Sequence, residues 1–178
     1  VGVTPADAIL VTHPGRQHSH QAALALARGG RLAGYWAGVP SLERHARGVP
    51  SVLWRRLVRY APVPLPADRV RCAPWVPALR RASDAILPAG PAARVDFAAC
   101  RLFDRWVARR LAGVECGAVI ACEISALASF AEAKRLGRLA ILDAPSFHHA
   151  AQDRLHGFSA PASLHRAIAQ VKDDEVAL

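Results

Sequence analysis

Two apolar runs, each the length of a buried strand, end in polar loops that carry histidine. Residues 8–12 (Ala-Ile-Leu-Val-Thr) lead into His13-Pro-Gly-Arg-Gln-His-Ser-His20, and residues 139–143 (Leu-Ala-Ile-Leu-Asp) lead into Ala144-Pro-Ser-Phe-His-His149. Two similar runs, residues 32–37 and 118–122, lie between them. Strands covered on both faces read as continuous apolar runs, and the intervening stretches place apolar residues at helical spacing. This order predicts an α/β fold with a mostly parallel sheet and helices on both faces. Open sheets of that kind bind ligands beyond the carboxyl ends of their strands, so the two histidine loops mark the expected site.

The helices are punctuated by short signals. Ser19 is the expected cap of a helix over about 20–28, ended by Gly29-Gly30. Residues 97–111 carry Phe97, Leu102, Phe103, Trp106, Val107 and Leu111 on a helical repeat, stopped by Gly113. Ser125 is read as the cap of a helix to about 136, with Gly137 behind it, and a last helix runs from near Ala162 toward Leu178. From Pro40 to Pro91 nine prolines rule out one regular element. That stretch is read as an excursion at about 38–94, holding a short helix at 51–60 and a short strand at 70–73. Trp54, Tyr60 and Trp75 argue against a disordered tether.

A chain of 178 residues, 52% of them hydrophobic, has the size and core of a single domain. No apolar run approaches the roughly 20 residues of a membrane span, and no charged leader precedes an apolar segment. The four cysteines form no C-x-x-C pair, which points to buried thiols in a reducing cytoplasm. No Cys/His spacing suits zinc, so neither a metal nor another bound cofactor is expected.

The net charge of +9 is concentrated: from Arg44 to Arg81 there are nine Arg and a single acid, Asp68. Such a stretch points to an anionic partner surface. Arg55, Arg56 and Arg59 share one side of the 51–60 helix beside Trp54 and Tyr60, the composition of a peripheral docking face for the inner, anionic side of a membrane. The competing reading is a solvated surface helix. No nucleic-acid-binding motif accompanies the charge, and no nucleic-acid partner is expected.

In the first loop Gly15 permits close backbone approach, and the helix terminus behind Arg16, Gln17 and His18 favours anions. The loop matches neither the P-loop nor the G-x-G-x-x-G pattern. Glu123, directly after the 118–122 run, either accepts hydrogen bonds from a hydroxyl-rich ligand or caps the helix that follows. Pro145 restrains the turn after Asp143 and sets Ser146, His148 and His149 just beyond the strand, where histidine can transfer protons near neutral pH. Adjacent side chains diverge, so one of His148 and His149 is expected in the crevice and the other packed.

The order of these segments (13–21, then Glu123-Ile-Ser-Ala-Leu127, then Leu142-Asp-Ala-Pro-Ser-Phe-His-His149) resembles the amino-terminal half of glycosyltransferase family 4 enzymes of the GT-B fold. The resemblance spans essentially the whole chain and rests on the order of the motifs. It implies a Rossmann-like amino-terminal domain over 1–178 that binds a glycan or lipid-linked acceptor. A nucleotide-sugar donor would be held mainly by a carboxyl-terminal domain absent from these residues, which makes the isolated chain inactive. It further implies substrate-binding roles for Gly15, Arg16, Gln17, Glu123, Asp143 and Ser146, and catalytic roles for His18, His148 and His149. Family members mostly transfer with retention, stabilising developing charge electrostatically. The residues also admit a non-catalytic α/β ligand-binding module, or a small hydrolase or metal enzyme using His18, His148 and His149.

Overall fold

The computed structural model describes residues 4–38, 64–145 and 162–178. Five strands, β1 (Ile9–His13), β2 (Leu32–Ala37), β3 (Val70–Cys72), β4 (Ala118–Cys122) and β5 (Leu139–Asp143), form one sheet in the order β3-β2-β1-β4-β5. Every pairing is parallel. Helices α1 (Ser19–Arg28), α2 (Trp75–Ile86), α3 (Ala89–Leu111), α4 (Leu127–Arg135) and α5 (Ala162–Ala177), with short 3-10 turns at Pro5–Asp7 and Ala67–Arg69, complete the described elements. The protein is therefore an α/β domain with a Rossmann-like, all-parallel sheet flanked by helices.

Alternation along the strands divides the core in two. Leu10, Trp36 and Val119 point to one face, where Val76 of α2 and Phe103 and Val107 of α3 meet them. Phe130 of α4 packs beside them on Ala121, Ala140 and Leu142. Val11, Tyr35 and Ile120 point to the other face and meet Ala23 and Leu24 of α1. Trp36 and Phe103 are 2% and 0% exposed, and burying each contributes about 1.5–3 kcal/mol.

Helices α1 and α4 close alike. The N–H groups of Arg31 and Arg138 reach back to Leu26 O and Ala133 O at 2.8 Å, with Gly30 (φ 72°) and Gly137 (φ 69°) in the left-handed conformation that glycine adopts without strain.

Several expectations shift. β1 runs from Ile9 to His13, one residue later than 8–12. Ser19 and Ser125 are not helix caps. Ser19 is the first residue of α1, behind His18, and its Oγ donates to Arg16 O at 2.5 Å. Ser125 Oγ donates to Cys122 O at 2.9 Å, two residues before α4 begins. The larger correction concerns 38–94. From residue 64 onward this stretch belongs to the core: β3 pairs with β2, α2 packs on α3, and α3 starts at Ala89. Pro74 and Pro88 immediately precede α2 and α3, and Pro77 and Pro91 occupy their first turns. The backbone N–H is unpaired in a first turn, so proline costs nothing there. The 51–60 helix, with Trp54, Arg55, Arg56 and Arg59, lies outside the described residues.

Three arginines of the basic stretch serve the fold. Arg69 donates to Leu32 O, Arg71 stacks on the Trp36 ring at 5.0 Å, and Arg80 pairs with Asp96. All four cysteines are free; burial pushes the Cys72 and Cys122 thiols up to about 12 and that of Cys100 to about 11. Among the described residues no helix is long and apolar enough to cross a membrane.

Candidate functional site

The chain order reverses between β1 and β4, because β2 lies beyond one and β5 beyond the other. The loops after β1 and β4 thus flank the switch-point crevice of the sheet. Among the described residues the non-glycine positions with positive φ are Gln17 (32°) and Ile124 (70°), one in each loop. Such strain persists where the surroundings impose it, commonly around ligand sites.

A cleft of about 540 Å³ opens there. One wall is the β1–α1 loop, with His13, Gly15, Arg16 and Gln17. The β4–α4 turn contributes Cys122, Glu123 and Ile124, and the helical wall contributes Phe97 and Cys100 of α3 with Leu164 and Ile168 of α5. A second groove, of about 430 Å³, touches Thr4, Leu32, Asp68 and Glu115 at the amino ends of the strands, where open α/β sheets do not bind their ligands.

His18 Nε2 lies 2.8 Å and 3.0 Å from the two carboxylate oxygens of Asp143. Strand β4 separates β1 from β5, so this pair arches over the carboxyl end of β4 and ties the two predicted loops together at the switch point. A ring that donates to Asp143 carries a proton on Nε2, and in its neutral form leaves the Nδ1 lone pair for another partner; the imidazole side chain is 47% exposed. Ser146, His148 and His149 lie outside the described residues.

His13 behaves differently. It is 3% exposed, and its Nδ1 accepts the Gly15 N–H at 2.8 Å, which puts the ring proton on Nε2. Burial lowers its pKa from 6.5 to about 4, with Gln17 and the Gly15 backbone opposing the shift. Nε2 is buried without a hydrogen-bond partner among the described residues; the Gln17 side chain is near enough to influence the ring but outside bonding geometry.

Gly38 braces this loop. Its N–H donates to His13 O at 3.0 Å, and a Cβ on Gly38 would run into the Pro14 carbonyl. Gly38→Ala is expected to displace residues 13–15 and to cost about 1–3 kcal/mol in a urea titration, with the His13 and His18 ring resonances moving. Unchanged rings and stability would show that the loop does not depend on this contact.

The β4–α4 turn is held by carboxylates from distant helices. Asp104 of α3 accepts the N–H groups of Ala128 (2.7 Å) and Ser129 (2.8 Å), and Glu175 of α5 accepts those of Ala126 (2.8 Å) and Ile124 (2.7 Å). Negative charge is favourable at a helix amino terminus. Burial pushes the Glu175 carboxyl up, against the two backbone bonds that favour its charged form. Glu123 does not cap α4. It pairs with Lys172 at 2.9 Å, the two side chains 12% and 7% exposed, so its carboxylate meets the cleft already bound to a cation.

Of the residues singled out from the sequence, Gly15, Arg16, Gln17 and Glu123 line the cleft, whereas His18 and Asp143 pair with each other and are not among its lining residues; Arg80, Asp96, Phe97, Leu164 and Ile168 were missed as cleft residues. Asp104 and Glu175 were missed as well. The available signal was an acid inside an apolar helical stripe: Asp104 among Cys100, Phe103 and Val107, and Glu175 following Leu164, Ile168 and Val171. Among the described residues no three His, Cys, Asp or Glu side chains cluster closely enough to hold a metal ion. Comparison with protein-family models, with curated proteins and with solved structures finds no match to this chain.

Proposed function

We propose that the chain is the acceptor-side half of a GT-B glycosyltransferase similar to family 4. The observation that carries this reading is the His18–Asp143 pair, which joins the ends of the β1–α1 loop and β5 on the carboxyl side of the sheet. The motif order in the sequence supports it. In the proposed step an acceptor hydroxyl lies against His18 Nδ1, which takes its proton as the oxygen bonds to the sugar carbon on the same face from which the nucleotide diphosphate departs, so configuration is retained. Asp143 stabilises the imidazolium that forms. The Arg16 guanidinium adds positive charge beside the diphosphate. His148 and His149 are proposed contributors from the later loop. Arg55, Arg56 and Arg59 with Trp54 are a proposed membrane-docking face, on charge and composition alone.

The test is a transfer assay on the full reading frame that contains these residues, with UDP-, GDP- and ADP-sugars and with lipid-linked and glycan acceptors. His18→Ala is expected to lower kcat by about 10²-fold, as loss of a general base does. Its melting temperature should stay close to wild type, because the side chain is half exposed. Residues 1–178 alone should transfer nothing. Absence of transfer with every donor, or full activity in His18→Ala, would overturn the reading.

A further inference from the structure

The cleft has two chemically distinct walls. Ser163 near the start of α5 accepts a hydrogen bond from Arg94 Nη2 near the start of α3 at 3.0 Å. Farther along the same helices, Glu175 feels the charges of Asp104 and Arg101. The two helices therefore run in one direction. Phe97, Cys100, Leu164 and Ile168 line the cleft from this pair, and Phe97 and Ile168 stay partly exposed although both are large and apolar. The facing wall is the β1–α1 loop. It contains His13, whose Nε2–H is buried and without a hydrogen-bond partner among the described residues, and Arg16, which is 7% exposed. The acids that line the cleft are matched to cations, Asp96 with Arg80 and Glu123 with Lys172.

A buried donor left without an acceptor is costly, and it is satisfied when a ligand brings an oxygen to it. Small-molecule sites of about 300–1,000 Å³ combine an apolar lining with a few placed polar groups of this kind. We infer that the cleft binds an amphipathic acid: an acidic oxygen, from phosphate or carboxylate, accepts the His13 Nε2–H beside Arg16, and an apolar body lies against Phe97, Leu164 and Ile168. This deepens the proposed function and rests on reading the cleft as the acceptor site; it favours an acceptor with an apolar body over a wholly polar glycan.

Calorimetric titration of the 178-residue chain tests the inference with octyl phosphate below its micellar concentration, octanoate, inorganic phosphate and 1-octanol, alongside NMR of the His13 ring. At least one of the two octyl acids should bind about tenfold or more tightly than both phosphate and octanol, with the Nε2–H resonance moving downfield; which acid binds better identifies the head. Octanol binding as well as both acids would overturn the head contact. Phosphate binding as well as both would overturn the apolar body, and no binding by either acid would overturn the whole. His13→Asn keeps an acceptor for the Gly15 N–H but removes the distal donor. It should weaken the acids about tenfold and leave octanol unchanged. His13→Gln should recover part of the loss. Where substitution at His13 prevents folding, Ile168→Ser decides: it should weaken the octyl acids and octanol and leave inorganic phosphate unaffected. Binding of an octyl acid without sugar transfer by the full reading frame would remove the proposed function and leave this site standing. Transfer to polar glycans without octyl-acid binding would do the reverse.

Discussion

Asp104→Ala is expected to destabilise the protein by about 3–5 kcal/mol, the range for removing one partner from a buried, hydrogen-bonded charge. Asp104 is fully buried and accepts from Ala128, Ser129 and Arg101 Nη1 (3.2 Å), so its loss leaves two α4 N–H groups and a guanidinium without their acceptor. Arg101 is 17% exposed and can turn toward water, and loss of the Asp104 charge relieves Glu175, so the lower half of the range is expected. Against a typical total of about 5–15 kcal/mol this is a large fraction. Asp104→Asn keeps one acceptor oxygen and should cost less. Urea titration measures both; a loss under about 1 kcal/mol for Asp104→Ala would mean that Glu175 alone suffices to hold the turn.

The second large effect is acid sensitivity from His13. The folded ring takes its proton near pH 4, the unfolded ring near 6.5. Between those values the unfolded chain binds a proton that the folded chain refuses, so stability is fully present above about pH 6.5 and falls as the pH drops toward 4. At about 1.4 kcal/mol per pKa unit the loss approaches roughly 3 kcal/mol. Glu175 works in the opposite sense: its raised pKa means that the folded state takes up a proton first, so acidification relieves the cost of its buried charge. The contribution of His13 is therefore read as the difference between wild type and His13→Asn across pH 4–6.5. That difference should shrink steadily on acidification; a flat difference would contradict a buried, neutral ring.

Strands and helix ends were legible because each depends on its own residues. The runs at 32–37, 118–122 and 139–143 are the strands found, and Gly30 and Gly137 stop helices where the sequence placed stops. Helix starts were less legible. Serine is a common cap, but Ser125 spends its hydroxyl on Cys122 O while the terminus of α4 is satisfied by carboxylates from α3 and α5. Those partners are fixed by tertiary packing, which spacing along one helix does not encode. The prolines misled for a related reason: proline forbids helix interiors but not first turns, and α2 and α3 each have one just before the helix and one in its first turn. At the site, the loop residues were legible because turn chemistry is local. The apolar wall was hidden because Phe97 and Ile168 look like ordinary core positions until the fold brings both to one cleft.

Synthesis runs in one direction, and the cleft is completed late in it. Its first wall, around His13, is made early; its last, Leu164 and Ile168 on α5, emerges after all five strands. Until α5 docks, the Ile124 and Ala126 N–H groups have no carboxylate from Glu175, and Glu123 has no Lys172. At about 5–20 residues per second the 16 residues of α5 take on the order of seconds to appear. Ligand capture by this cleft therefore has to wait for α5 to supply Leu164 and Ile168.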